Sequence, residues 1–311
     1  MDKKIKWNMC KSYYWNRVTE LGWHKNRAIN SICNLWIALW RYRKTIRMIL
    51  EGKFLYVKQV ELVLTTKCTL RCKECANLMQ YYNRPYDIEV DSVCKAIKNL
   101  LNKVDEIDTV VLVGGEPLLY KNLHIVVEEL IRERKVKAVD IYTNGSIVPA
   151  ESVLAILRNS KCKLIISDYG KISGKKHDLV KACKTRKIKY HLKNKDLHWG
   201  YVGNMECRNR KERQLKKQFR KCGNPCRSIL NGKLFYCPRA SHGDDLGYAV
   251  AKKGEYVNLL NAGVSAEEIM RILYSSHYFT ACNYCNYGTK DLVSIVPGEQ
   301  LICAKTGATN N

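Results

Sequence analysis

Apolar residues follow two rhythms along this chain. Four short runs rich in β-branched and aliphatic residues predict buried strands: Tyr56–Leu64, Thr109–Val113, Ala138–Tyr142 and Lys163–Ile166. Between them, Leu123–Arg134 and Ala150–Asn159 carry apolar residues at helical spacing. Strands alternating with helices of this length predict a parallel α/β sheet. Helical spacing recurs at Ile29, Ile32, Trp36, Leu39, Ile46 and Leu50, flanked by Arg41, Arg43, Lys44 and Arg47. Such a helix suits either a membrane interface or, as amphipathic helices usually do, packing against the rest of the fold. Further on, Arg208–Lys221 reads as a basic helix, and Asn231-Gly232 between SIL and KLFY predicts a β-hairpin.

Composition narrows the class. A chain of 311 residues with 46% hydrophobic content can bury a sizeable core. Fifteen cysteines, without a secretory signal pattern, argue for metal binding in a reducing compartment, hence the cytoplasm, over a disulfide scaffold. No uninterrupted apolar run reaches the length of a membrane span. The formal net charge is +25 and is uneven. Residues 1–53 hold twelve Lys/Arg against three Asp/Glu, and residues 207–222 hold eight against one. An anionic substrate, an anionic membrane surface or nucleic acid suits that balance, as does a generally lysine-rich composition. Five of the six tryptophans fall within the first forty residues.

The cysteine spacing carries the chemistry. Cys68, Cys72 and Cys75 lie in TTKCTLRCKEC, directly after the first predicted strand. Three thiolates hold three irons of a cubane and leave one iron open to a small molecule. Zinc or ordinary buried thiols are the alternatives, but zinc ribbons pair their cysteines as C-x2-C, and the first gap here is three residues. A second group gathers near the C-terminus: Cys222, Cys226, Cys237, Cys282 and Cys285. A hairpin carrying cysteines, closed by a distant C-x2-C, is a metal-site pattern, with a zinc knuckle as the alternative to a cluster.

C-x3-C-x2-C after a strand resembles the radical S-adenosylmethionine (SAM) superfamily, as does Gly114-Gly115-Glu116-Pro117 at the end of the second strand. The resemblance implies a partial (β/α)6 TIM-like barrel and a SAM-binding 4Fe–4S cluster on Cys68, Cys72 and Cys75. It also implies SAM contacts from Gly114, Gly115, Glu116, Asn144, Ser167 and Asp168. Two glycines let the backbone approach a ligand, and Glu116 can meet an ammonium group. The family often has an aromatic residue just before the third cysteine. Glu74 stands there, leaving Tyr81 or Tyr82 to supply an aromatic surface. C-x9-G-x4-C from Cys222 to Cys237 is similar to the SPASM and twitch extensions, which hold auxiliary clusters. After Cys285 only Cys303 remains, so one auxiliary cluster is expected on Cys237, Cys282, Cys285 and either Cys222 or Cys226. The spare thiol, taken as Cys226, is a candidate hydrogen-atom donor.

The expected organisation is a basic, Trp-rich helical arm (1–53), a radical SAM barrel (54–205) and a small cysteine-rich α+β domain (206–311). The resemblance implies cleavage of SAM to a 5′-deoxyadenosyl radical. That radical takes hydrogen from a carbon of a polar small molecule, of sugar or aminocyclitol type, giving epimerisation or dehydrogenation. A flavodoxin or ferredoxin would supply electrons. A peptide maturase is one alternative. A non-catalytic iron–sulfur electron carrier or nucleic-acid-binding protein is another, disfavoured because neither needs the GGEP turn. His198, Trp199, Arg239 and His242 are positional candidates for the substrate pocket.

Overall fold

β-Branched runs with both faces covered build the centre of the molecule. The computed structural model describes residues 1–20, 42–193 and 199–301. After α1 (Lys3–Glu20) and helical residues 42–51 (α2), strand β1 (Tyr56–Val63) begins a repeating strand–helix order. It continues through α3 (Val90–Leu101), β2 (Glu106–Val113), α4 (Leu123–Arg132), β3 (Val136–Thr143), α5 (Glu151–Ile156), β4 (Cys162–Ser167), α6 (Lys176–Arg186) and β5 (Tyr190–Lys193). Parallel pairing joins β1 to β2, β2 to β3, β3 to β4 and β4 to β5. The last four residues of both β1 and β2 are buried in succession, as expected of strands covered on both faces.

The sixth parallel strand is not in the 54–205 segment. Trp199–Gly200 (β6) forms a separate two-stranded sheet with Ser294–Ile295 (β10). After α7 (Glu212–Lys221), strand β7 (Ser228–Leu230) pairs in parallel with β1, Glu61 opposite Ser228. β8 (Lys233–Phe235) and β9 (Tyr256–Asn258) extend the sheet antiparallel. Asn231 and Gly232 both have positive φ, the conformation a two-residue hairpin turn needs. The cysteine-rich segment thus continues the main sheet, whose order is β5-β4-β3-β2-β1-β7-β8-β9. β5 and β9 are its edges, so the barrel is partial and open among the described residues. Helices α8 (Pro238–Asp245) and α9 (Ala266–Leu273) cover this extension.

The N-terminal helix packs on the sheet. Met9, Cys10 and Tyr13 are buried in the same core as β1, and Tyr13 meets Tyr56 edge to face at 4.9 Å. Arg17 pairs with Asp108 and Glu106, and the hydroxyl of Tyr56 also donates to Asp108. Trp7 and Trp15 face solvent. Of the expected helix from Ile29 to Leu50, residues 29–41 lie outside the described residues. Within α2, Ile49 is buried, but Leu50, expected on the apolar face, is exposed. Among the described residues no helix is long and apolar enough to cross a membrane.

If α1 belongs to the core, Met9→Ala will cost about 2–5 kcal/mol, the range for truncating a buried Met. Trp7→Ala should stay within about 0.5 kcal/mol, as surface changes do. Urea unfolding of the two variants distinguishes a packed helix from a loose arm.

Candidate active site

The three-cysteine loop leaves β1 and lies directly on the turn after β2. Gly115 N–H donates to the carbonyl of Thr65 at 2.9 Å, and Glu116 N–H to that of Lys67 at 2.8 Å. A Cβ on Gly115 would sit 2.3 Å from the Lys67 oxygen and 2.6 Å from Cys68 Cβ, and one on Gly114 would sit 2.4 Å from the Thr65 oxygen. The glycines are therefore required by the cysteine loop itself.

Each thiol of the loop accepts N–H bonds. Cys68 Sγ receives Leu70 N–H at 3.4 Å and Asn144 Nδ2 at 3.7 Å, and Cys72 Sγ receives Gln300 Nε2 at 3.3 Å. Cys75 accepts from backbone N–H groups of Met79, Asn77 and Leu78. Burial pushes the Cys68 thiol up to about 12 and that of Cys72 up to about 11, so both are neutral until a cation displaces the proton. Among the described residues, no three His, Cys, Asp or Glu side chains meet as they would around a single ion. Sulfurs ringed by N–H donors suit the charged sulfurs of a cluster, whose potential such bonds help to set.

Glu116 is fully buried. Its carboxylate accepts from Leu118 N–H at 3.1 Å and from Asn144 N–H at 2.8 Å. In this geometry Glu116 ties the β2 turn to the β3 turn. Asn144 then reaches Thr69 Oγ1 at 2.9 Å as well as Cys68. Ser167 is buried at the end of β4 and hydrogen-bonds the hydroxyl of Tyr169. Asp168 is engaged by Lys176 and by Gly170 N–H. Tyr81 and Tyr82 turn towards the C-terminal region, Tyr81 to the ring of Tyr248 and Tyr82 to Asp245 and His242.

Two contributors gave no sequence signal. The Tyr169 ring lies beside the loop, where its hydroxyl senses Cys72, Cys75 and Cys68, and burial first, then these thiols, push it up to about 12. The segment 298–301 crosses the loop. Leu301 N–H donates to Arg71 O, Lys73 N–H to Glu299 O, and Arg71 N–H to Gln300 Oε1.

The C-terminal cysteines separate into four and one. Cys222, Cys237, Cys282 and Cys285 lie close enough for Cys282 to sense the charge of the other three. All four accept backbone N–H bonds: Cys282 from Phe279, Cys285 from Tyr287, Cys237 from Ala240 and Cys222 from Asn224. Gln218 Nε2, on the inner face of α7, donates to the carbonyls of Cys282 and Cys285 at 3.0 and 2.8 Å. Arg210 donates to the Cys285 carbonyl at 2.7 Å. Cys226 differs: burial first, then the carboxylate of Glu61 beside it, push its thiol up, and it receives Gln59 Nε2 at 4.0 Å. Cys303 lies outside the described residues.

A cavity of about 500 Å³ opens at the C-terminal cysteines and reaches the residues after Cys75. It is lined by the four thiols, by Cys226 and Glu61, by Lys193 and Trp199, and by Ala76 and Asn77 directly after Cys75. Arg239 also lines it, held by the carbonyls of Gly203, Asn204 and Tyr284, with its Nη1 buried and unpartnered. Of the positional candidates, Trp199 and Arg239 therefore face the cavity. His242 is fully buried against Tyr82, and His198 lies outside the described residues.

Gly115→Ala should unseat the cysteine loop. In metal-free protein, alkylation of Cys68 mapped by mass spectrometry should accelerate by about tenfold, and an unchanged rate would contradict the seating. Glu116→Ala strands two buried N–H groups at about 1–3 kcal/mol each. Burial raises the Glu116 carboxyl from 4.5 to about 7, so the fold holds this proton more tightly than the unfolded chain does. Its contribution is complete below 4.5 and is lost as pH rises through about 7, so the cost of the substitution should shrink across that window. Urea unfolding at several pH values checks the sign.

Comparison with known proteins addresses part of this chain. The sequence model of the Radical SAM superfamily matches residues 62–167. No curated protein matches the chain. Among solved structures, BtrN in complex with AdoMet and 2-DOIA aligns at 18% identity and TM-score 0.46, over 79% of this chain and 97% of that one. SuiB of Streptococcus suis aligns at 15% identity and TM-score 0.38, over 58% of this chain and 44% of its own. Native anSMEcpe with bound AdoMet and Cp18Cys peptide aligns at 18% identity and TM-score 0.36, over 44% of this chain and 42% of its own. The chain thus spans less than half the length of anSMEcpe and of SuiB. The matched residues, 62–167, include the loop with three N–H-ringed thiols and the glycine turn that seats it, and this stretch is similar to the Radical SAM superfamily.

Proposed function

We propose that this chain is a radical SAM enzyme acting on a polar small molecule of sugar or aminocyclitol type. Cys68, Cys72 and Cys75 would hold the SAM-binding 4Fe–4S cluster. Cys222, Cys237, Cys282 and Cys285 would hold one auxiliary cluster of the SPASM or twitch kind. When bound, cluster and SAM supply a 5′-deoxyadenosyl radical that takes hydrogen from carbon. The observation that carries this reading is the shared cavity, which runs from the residues after Cys75 to the four C-terminal thiols and to Cys226. Its volume suits a small molecule and falls at the lower end of the range for ligand pockets.

The chain's own residues divide the work. Gly114 and Gly115 seat the first three thiols, and Glu116 positions Asn144. Trp199, Val202, Pro225 and Pro238 give the cavity apolar walls that exclude water, while Lys193 and Arg239 place positive charge there, suiting an anionic substrate. Ser167 and Asp168, both engaged within the β4 turn, would shape the nucleoside side rather than contact it alone. Cys226, set apart from the ligand thiols, would return a hydrogen atom to the substrate, which makes redox-neutral epimerisation the outcome we favour. Dehydrogenation is the alternative, and a peptide maturase remains the second substrate class. Oxygen-sensitive clusters place such an enzyme in the cytoplasm, with a flavodoxin or ferredoxin as electron donor. α1 is occupied on its inner face, so any membrane contact would use Trp7 and Trp15.

Anaerobic reconstitution should give about eight irons per chain, two cubanes. Replacing Cys68, Cys72 and Cys75 together by Ala should leave about four and abolish 5′-deoxyadenosine formation from SAM and dithionite. A variant that still made 5′-deoxyadenosine would sink the assignment, and a wild-type protein that never did would point to an electron carrier. Cys222→Ala should lose auxiliary iron, whereas Cys226→Ala should keep it.

A further inference from the structure

β1 and the segment before β7 bring together two groups that the chemistry above leaves unpaired. Glu61 N–H donates to the Arg227 carbonyl at 2.6 Å, fixing Glu61 beside Cys226 across the parallel pairing. Glu61 is 8% exposed and lines the cavity beside Cys226, whose thiol also receives Gln59 Nε2 at 4.0 Å. Among the described residues it has no ion pair within bonding distance. Arg227, whose charge bears on Glu61, is spent on the carbonyls of Leu273, Asn224, Cys226 and Tyr236 and stacks on the Tyr236 ring. A carboxylate buried without a cation is costly, and such groups cluster at functional sites.

Resting on the radical SAM reading, we propose that Glu61 is the proton source for Cys226, the two forming one hydrogen-delivery unit. The thiol gives a hydrogen atom to a carbon radical, forming C–H and leaving a thiyl radical. A one-electron reductant of the iron–sulfur or flavin class then reduces the thiyl while the Glu61 carboxyl passes its proton to sulfur. The resulting carboxylate recovers a proton from water through the cavity. Burial raises the Glu61 carboxyl to about 7, so a proton is available there near neutral pH. The other charged or titratable groups bearing on the pair are Arg227, Lys193 on β5, Tyr142 on β3 and Cys237. Lys193 lies over the Tyr142 ring at 4.4 Å, and its amine, like the Tyr142 hydroxyl, is kept neutral more readily by burial. A Glu in VELVL reads as an ordinary polar strand position, which is why sequence patterning passes over it.

The test uses the reconstituted protein with SAM and dithionite in deuterated water, without substrate. The exchangeable Cys226 thiol is then the deuterium source for the radical. Wild type should give singly deuterated 5′-deoxyadenosine over many turnovers, and Cys226→Ala should give unlabelled product. Glu61→Gln should label about one equivalent per chain and then slow by about tenfold or more, as expected for losing a general acid, with Glu61→Asp restoring turnover. A Glu61→Gln protein that keeps labelling at the wild-type rate overturns the proton-source role. Unlabelled product from wild type overturns hydrogen delivery by Cys226. Absence of SAM cleavage in wild type overturns the enzyme reading instead. Independently of catalysis, alkylation of Cys226 mapped by mass spectrometry should accelerate about fivefold or more in Glu61→Gln, because the carboxylate disfavours a neighbouring thiolate. Cys94 serves as the unaffected control, and equal rates at Cys226 would break the pair.

Discussion

Everything in this site hangs on a backbone contact with no room for a side chain. The loop carrying Cys68 rests on Gly114 and Gly115 so closely that a single added carbon would overlap its carbonyls. That seating fixes where the first thiol stands. Glu116, next in the chain, turns the same contact into a link with β3 by holding the Asn144 amide, and Asn144 in turn donates to Cys68. Three consecutive residues thus set a thiol's position, its polar surroundings and the strand end opposite. A buried carboxylate is tolerated there because backbone N–H groups satisfy its oxygens, which offsets part of the desolvation cost.

Hydrogen-bond partners sort the cysteines. The seven thiols of the two groups each accept N–H bonds from backbone or amide groups, the arrangement that stabilises negative sulfur. Cys226, which takes only a long 4.0 Å contact from Gln59 Nε2, lies instead beside the Glu61 carboxylate, which favours the protonated thiol. Spacing alone leaves Cys222 and Cys226 as equal rivals for one place, since both precede the same hairpin. The surroundings separate them: Cys222 caps α7 beside Cys285, while Cys226 faces Glu61 across β1.

Strands β1 to β4, the glycine turn and the hairpin were legible because each is a local pattern: apolar runs, paired glycines, Asn-Gly. What escaped is non-local. The sixth parallel strand comes from Ser228–Leu230, three residues too short to register as a barrel strand, and is recruited because β1 has a free edge. Gln300 reaches Cys72 from a segment whose sequence, between Pro297 and Leu301, carries no metal-site signature. Tyr169 carried no sequence signal, yet its hydroxyl senses all three thiols of the loop. Leu50 illustrates the opposite error, a helical periodicity that continues one residue past the face that is buried.

The pairing of β7 with β1 has a consequence for how the two cysteine groups are related. β1 ends in the loop of Cys68, and β7 begins two residues after Cys226 and runs into the hairpin that presents Cys237. One register, Glu61 opposite Ser228 and Leu62 opposite Ile229, therefore sets the separation between the two groups of thiols. A one-residue slip would turn Ile229 and Ser228 to opposite faces and carry the second group with them. Ser228 resists that slip: it is fully buried and hydrogen-bonds Ser241 of α8 at 2.7 Å, a bond that exists only on this face. A separate domain on a linker would let the two groups drift. Continuity of one sheet instead makes their spacing a property of strand geometry.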